Sequence, residues 1–266
     1  MSITKKAWIT YRDKGRSRIH LKEPIAIVGS SGLRSVGKIV VDELVKKTDP
    51  RKFAELYSYG FPGVYYGPSY LGAPNVAGAK IAKGNVVHLP SVEFYALEQN
   101  QDIIITRGYQ AYNALNQYVV ADTVTDLFKE YHVKEVISLG AQVIEEGITG
   151  CATDTALLKG MHKFGIKKTN VDRFIGFSGL VAAIGREKGL KGICLFASTT
   201  QKLADPEYPD FYAAKELLEK ISEILGIVVD TSDLEERGMA EGKITEEMQE
   251  QGQRREQEAE EPSGYV

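Results

Sequence analysis

Gly32, four intervening residues and then Gly37-Lys38 form the spacing most suggestive of chemistry in this sequence, inside the stretch PIAIVGSSGLRSVGKIVVDELVKK at 24–47. A phosphate-cradling loop needs glycines so that backbone N–H groups reach the phosphates, a lysine for the outer phosphates, and a Ser or Thr hydroxyl for Mg²⁺. Ile39 stands where that hydroxyl belongs. The second metal anchor is missing too, since the apolar runs DIIITRG (102–108) and EVISLG (135–140) end in Arg107-Gly108 and Gly140, not in an aspartate. Two readings of the turn stay open. In one, Gly29, Ser30, Gly32, Gly37 and Lys38 hold a phosphate or nucleoside without that machinery. In the other, Gly29, Gly32 and Gly37 supply tight turning and close helix-to-strand packing.

Other reactive residue types are scattered. GFSGL (176–180) falls short of a nucleophile elbow, because glycine follows Ser178 directly instead of two positions later. His20, His88, His132 and His162 have no metal-ligand spacing, and Glu145, Glu146 and Asp154 have no evident acid–base partner. Solvated loops or a helix cap account for these carboxylates. No catalytic residue, metal or cofactor is expected. Cys151 and Cys194 are far apart in sequence, in apolar or small-residue settings, and read as two buried thiols in a reducing cytoplasm. Tyrosines 57, 59, 65, 66 and 70 suit either an interface or a core-lining loop.

These residues must be positioned by an α/β scaffold. Residues 24–47 read as strand, glycine turn and helix, with Val36, Ile39, Val40 and Leu44 at helical spacing. Strands are expected in 86–97, 102–108 and 135–140, a helix over 112–131, and another from Thr153 or Asp154 to Gly165. RFIGFSGLVAAIGREKGLKGICLFAS (173–198) repeats the strand–turn–helix–strand grammar of the opening stretch. At the N-terminus, 8–21 alternates like a hairpin or a pair of edge strands around Asp13-Lys14-Gly15. In PDFYAAKELLEKISEILG (209–226) one stripe runs from Phe211 to Leu225, Asp210 caps the start, Gly226 ends it, and Glu216 with Lys220 forms an i,i+4 pair. From Asp233 to Val266, eleven acidic residues face four basic ones. The division expected is a single α/β domain over 1–232 and an acidic, flexible or partly helical tail over 233–266.

Composition narrows the function. A net charge of −3 over 266 residues gives no reason to expect nucleic acid or an anionic membrane as partner. No apolar run approaches the roughly 18 residues that span a bilayer, so a cytoplasmic protein is expected. The tail ends in Gly264-Tyr265-Val266, and a penultimate aromatic beside a carboxylate suits docking in a pocket with a basic residue.

Taken together, PIAIVGSSGLRSVG, LPSVEFYAL leading to DIIITRGYQA, KEVISLGAQV, FIGFSGLVAAIGREKGLKGICLFAS and PDFYAAKELLEKISEILGIVVD resemble the proteasome-assembly chaperone family. That family is named for the second subunit of the eukaryotic chaperone pair and has archaeal and actinobacterial members. The resemblance covers roughly 24–230. It implies a three-layer α/β/α sandwich similar to nucleoside phosphorylases, homo-oligomers, and a binding role at the proteasome core particle in place of chemistry. Some members end in a hydrophobic–Tyr–any-residue tail that inserts between α-subunits. Tyr265 and Val266 match its last two places, while Gly264 stands where a hydrophobic residue is expected.

Overall fold

The computed structural model describes residues 7–12, 19–59, 61, 64–65, 75–76, 79–82, 84–108, 114–144, 147–200 and 208–240. Its centre is the alternating apolar pattern of the inner strands. Strand β1 (Ala7–Tyr11) is followed by β2 (Ile25–Gly29), helix α1 (Val36–Thr48) and β3 (Arg51–Ser58). Two short ribbons, β4 (Val64–Tyr65) with β5 (Asn75–Val76) and β6 (Lys80–Ala82) with β7 (Val86–His88), lead into β8 (Val92–Leu97) and β9 (Ile103–Arg107). Then come α2 (Ala114–Glu130), β10 (Glu135–Gln142), β11 (Ile148–Ala152), α3 (Thr155–Met161) and β12 (Lys167–Lys168). The chain continues through α4 (Phe177–Glu187), β13 (Gly192–Ser198) and α5 (Phe211–Leu225), and α6 (232–240) is the last element described.

Among the described residues, nine strands form one sheet in the order β1-β3-β8-β9-β2-β10-β13-β11-β12. The four middle strands, β9, β2, β10 and β13, run parallel. β8, β3 and β1 extend the sheet antiparallel on one side, and β11 pairs antiparallel with β13 on the other. Alternation along each inner strand splits the core. Ala26, Val28, Ile104 and Val136 meet Val120, Val124, Phe128 and Val181 of α2 and α4. Ile27, Ile103, Ile105, Ile137 and Leu195 meet Val40, Leu44, Leu217 and Ile221 of α1 and α5. The result is a mixed α/β fold with helices on both faces of a central sheet, which explains why the inner strands read as nearly continuous apolar runs.

Local signals hold where partners are close in sequence. Asp210 accepts from the Ala213 N–H at 3.0 Å, and Gly226 closes α5 at φ 66°. Asp154 caps α3 by accepting from the N–H groups of Ala156 and Leu157. Three local readings change. Residues 173–176 form no strand, so 173–198 supplies only the helix α4 and the strand β13 of the expected strand–turn–helix–strand repeat. β1 is an edge strand on β3, and 19–21 form no strand, so no hairpin is seen at 8–21 among the described residues. Lys220 turns to Glu223 at 2.6 Å and donates to the Phe164 carbonyl, so it serves the neighbouring turn in place of the expected pair with Glu216.

The acidic segment begins as a docked helix. Leu234 of α6 is fully buried against α1 and α5. Arg237 bonds the buried Glu43 of α1 at 3.0 Å and lies 4.1 Å over the Phe211 ring, while Lys215 pairs with Glu235 at 2.7 Å.

Candidate functional site

The glycine turn after β2 opens at the carboxyl ends of parallel strands, where ligands of open α/β sheets bind. There, Ser30, Ser31, Gly32 and Gly37 line a cleft of about 360 Å³ together with Leu139 to Gln142 from β10 and Arg173 to Ser178 at the start of α4. The hydroxyls of Ser30 and Ser178, both buried, hydrogen bond at 3.3 Å. The cleft thus sets serines and glycines beside the apolar Leu139, Phe174, Ile175 and Phe177, with Gln142 held by Thr169 and by the Arg173 carbonyl. No histidine is among its lining residues, so neither serine has an imidazole base there. Among the described residues, no group of three or more His, Cys, Asp or Glu is placed to hold a metal ion.

The glycines divide into two kinds. A Cβ at Gly29 would lie 2.1 Å from the Gly37 carbonyl oxygen, and one at Gly37 would lie 2.7 Å from the Leu139 carbonyl. These two glycines let α1 begin directly against β2 and β10. Gly32 has no heavy atom within 4 Å of such a Cβ, and its φ of 177° is ordinary extended backbone. It is therefore not a packing glycine.

Lys38 is not among the cleft-lining residues. It pairs with Asp42 one helical turn on, and Asp42 also takes the Arg107 Nε at 2.6 Å. From there a chain of ion pairs crosses the antiparallel strands. Arg107 meets Glu93 at 3.1 Å, Lys52 bonds Glu93 and, at 2.6 Å, Glu55, and Arg12 closes on Glu55 at 2.6 Å. Burial opposes ionisation of Glu93, but the Lys52 bond and the Lys52 and Arg107 charges outweigh it and hold its carboxyl below the ordinary value. Glu55 is lowered in the same way, by Lys52 and Arg12 against burial. Burial and the facing Glu93 push the Tyr95 hydroxyl up to about 12, and that hydroxyl donates to Glu93 at 3.0 Å.

The residue that sequence reasoning missed is Arg34. Its buried guanidinium donates to the carbonyls of Thr200, Tyr208 and Pro209 at 3.1, 2.7 and 3.0 Å, and to the Thr200 hydroxyl at 2.9 Å. In return the Asp210 N–H donates to the Arg34 carbonyl at 3.0 Å. Arg34 and Ser35 both adopt left-handed backbone, at φ 54° and 53°. Such conformations cost about 1–3 kcal/mol each and persist where surrounding bonds hold them. The turn is thus fastened to the start of α5. The one signal was an arginine inside the otherwise small and apolar turn at 29–37.

Of the tyrosine-rich stretch, Tyr57 and Tyr59 are placed. Trp8 stacks on Tyr57 with ring centroids 5.8 Å apart and lies 4.9 Å from the exposed Tyr59. Tyr65 sits on β4, while Tyr66 and Tyr70 lie outside the described residues, as do Glu145, Glu146 and the terminal Gly264, Tyr265 and Val266. No described helix is long and apolar enough to cross a membrane.

Comparison with known proteins gives this architecture its relatives. An archaeal proteasome activator of Pyrococcus furiosus, PbaB, superposes with a TM-score of 0.76 at 24% identity, covering 92% of this chain and 100% of that one. PbaA of the same organism, described as an archaeal homologue of proteasome-assembly chaperone, gives 0.68 at 20% identity, covering 98% and 100%. The uncharacterized protein MJ1210 of Methanocaldococcus jannaschii is 28% identical over 224 residues, which are 82% of this chain and 80% of that protein. The model of the PAC2 family matches residues 26–251, most of the chain, and the protein belongs to that family.

Proposed function

We propose that the protein is a non-enzymatic, homo-oligomeric proteasome assembly chaperone or proteasome-binding adaptor, of the second-subunit type. The observation that carries this reading is likeness along nearly the whole chain to PbaB and PbaA, whose descriptions name a proteasome activator and an assembly-chaperone homologue. The cleft adds support of a negative kind. Its two buried serines bond each other, and Lys38 is engaged with Asp42.

In this reading a nucleoside-phosphorylase-like α/β/α sandwich over 1–232 is the scaffold. The acidic segment from 233 carries Gly264, Tyr265 and Val266 to a pocket between α-subunits of the core particle, in the cytoplasm. With Gly264 in place of a hydrophobic residue, each tail binds weakly, and several tails on one oligomer raise the effective concentration. Deleting Gly264 to Val266 abolishes co-sedimentation with proteasome core particles if this is right. Unchanged co-sedimentation sinks the tail, and a failure of the intact protein to co-sediment sinks the partner.

A second reading rests on the cleft itself: Ser30, Gly32 and Gly37 line a space large enough for a small phosphate or nucleoside. A thermal-shift series with inorganic phosphate and with adenosine tests it, since a ligand at a hundredfold its Kd raises stability by about 2.7 kcal/mol. A flat series removes this reading. A shift that survives Lys38→Ala but is lost in Ser178→Val locates the ligand in the cleft.

A further inference from the structure

Cys151 and Cys194 are separated by 43 positions in sequence, yet they are direct partners in the antiparallel pairing of β11 with β13. Directly opposed residues project their side chains to the same face of the sheet. The backbone fixes which kind of pair this is. The Thr153 N–H donates to the Gly192 carbonyl, and the Ser198 N–H donates to the Gly147 carbonyl. Counting in steps of two between those bonds puts Cys151 and Cys194 at a hydrogen-bonded position, where Cα atoms stand about 5.5 Å apart. A disulfide needs about 4.4–6.8 Å, so no strand has to move far for one to form.

The two thiols are unequal. Cys194 is buried beneath Ala182 and Phe196, while Cys151 is only half-buried and lies at the margin of that cluster. Their mutual hydrogen bond lowers the Cys151 thiol to about 7, and the same bond together with burial pushes Cys194 up. The more exposed residue of the pair thus carries the more acidic thiol, and Cys194 is the one kept protonated behind it. β11 is also the more adjustable partner, since its other neighbour is the two-residue β12.

We propose that Cys151 and Cys194 form a reversible thiol–disulfide site, with Cys151 the sulfur that meets a hydroperoxide and Cys194 the one that resolves it. The Cys151 thiolate attacks one peroxide oxygen. The O–O bond breaks, Cys151 becomes a sulfenic acid, and the departing hydroxide takes up the proton lost from Cys151 to leave as water when the oxidant is hydrogen peroxide. The Cys194 sulfur then attacks the Cys151 sulfur, the S–S bond forms as the S–O bond breaks, and the hydroxyl leaves with the Cys194 proton as a second water. Two thiols and one peroxide give one disulfide and two waters. A small dithiol reverses the step by exchange. The bond would close the chain from 151 to 194, which carries α3, β12 and α4, and would clamp β11 to the parallel core.

The test uses the full chain. It is treated with equimolar hydrogen peroxide, quenched with catalase, denatured, alkylated with iodoacetamide and read by intact mass and peptide mapping. The expected result is loss of both alkylatable thiols, an intramolecular peptide pair joining Cys151 to Cys194, and return of both thiols after dithiothreitol. Cys194→Ala should stop at a dimedone-reactive sulfenic acid on Cys151. Cys151→Ser should leave Cys194 unlabelled until the protein is unfolded. Two thiols still alkylatable in the treated wild type, Cys151 carried to sulfinic acid with Cys194 free, or a bond between two chains would each overturn the proposal. The wild-type measurement decides alone if either variant fails to fold.

Discussion

The parallel centre of the sheet and its antiparallel flank are held by different physics. β9, β2, β10 and β13 bury apolar side chains on both faces, and α1 approaches so closely that Gly29 and Gly37 leave no room for a methyl group. Across β8 and β3, one face packs on α2, while the other carries the ion pairs from Arg107 through Glu93 and Lys52 to Glu55 and Arg12. The centre should therefore fail through volume and the flank through charge. Glycine substitutions, salt and acid separate the two.

The largest effect is expected from Gly29→Ala. The new methyl would sit 2.1 Å from a backbone oxygen of α1, which cannot rotate away as a side chain can, so helix and strand must part. Overpacking costs about 1–3 kcal/mol, and a clash with backbone belongs at the upper end of that range. Gly32→Ala, three residues on and open to space, should stay within about 0.5 kcal/mol. Urea melts of the two variants decide. Equal losses would mean that the turn, and not the close approach, sets the stability of the centre.

Arg34→Ala comes next, at about 2–3 kcal/mol, because it leaves the carbonyls of Thr200, Tyr208 and Pro209 without the guanidinium that pairs them. Hydrogen exchange should show the loss at the start of α5, with β8 and β3 unaffected. Protection lost evenly across the sheet would break the division into two regions.

How far the sequence reveals each region follows from where partners lie along the chain. β2, α1 and α5 are legible because apolar spacing, Asp210 and Gly226 act within a few residues of one another. The glycine packing was legible in kind for Gly29 and Gly37 and misleading for Gly32, since only the fold brings the Gly37 and Leu139 carbonyls to those positions. Arg34 finds Pro209 at a separation of 175 residues and Lys52 finds Glu93 at 41, and no local period marks either. The cysteine pair is hidden in the same way. Composition likewise marks the stretch from Asp233 as an acidic, flexible or partly helical tail, but not that Leu234 and Arg237 dock its first helix. Of the two sites expected from sequence, the turn became a cleft without Lys38 among its lining residues, and the terminal tripeptide lies outside the described residues.

In the flank, Glu93→Gln should cost about 1–2 kcal/mol at pH 7, since it weakens bonds from both Lys52 and Arg107. The sign of its pH dependence follows from linkage. A carboxyl whose folded pKa is depressed contributes stability that is complete above the unfolded value, here the ordinary 4.5, and lost as pH falls through the lower folded value. Wild type and Glu93→Gln should therefore converge in acid. Moderate salt should narrow the gap as well. A difference that persists undiminished below pH 3 would show that shape, and not charge, holds the flank.

The centre contains one carboxyl with the opposite sign. Burial raises Glu135 on β10 above 4.5, against the attraction of Lys134 and Lys191, so the folded protein pays to keep it ionised at neutral pH. That penalty is complete above the raised folded value and fades as pH falls toward 4.5. Glu135→Gln should accordingly stabilise at pH 7, by under about 1 kcal/mol, and the gain should shrink on acidification. Melting both Gln variants across one pH series sets the regions side by side: the Glu93 variant starts below wild type and rises to meet it, while the Glu135 variant starts above and falls. If Glu135→Gln destabilises at pH 7, the two lysines outweigh burial, and charge contributes to the parallel centre as it does to the flank.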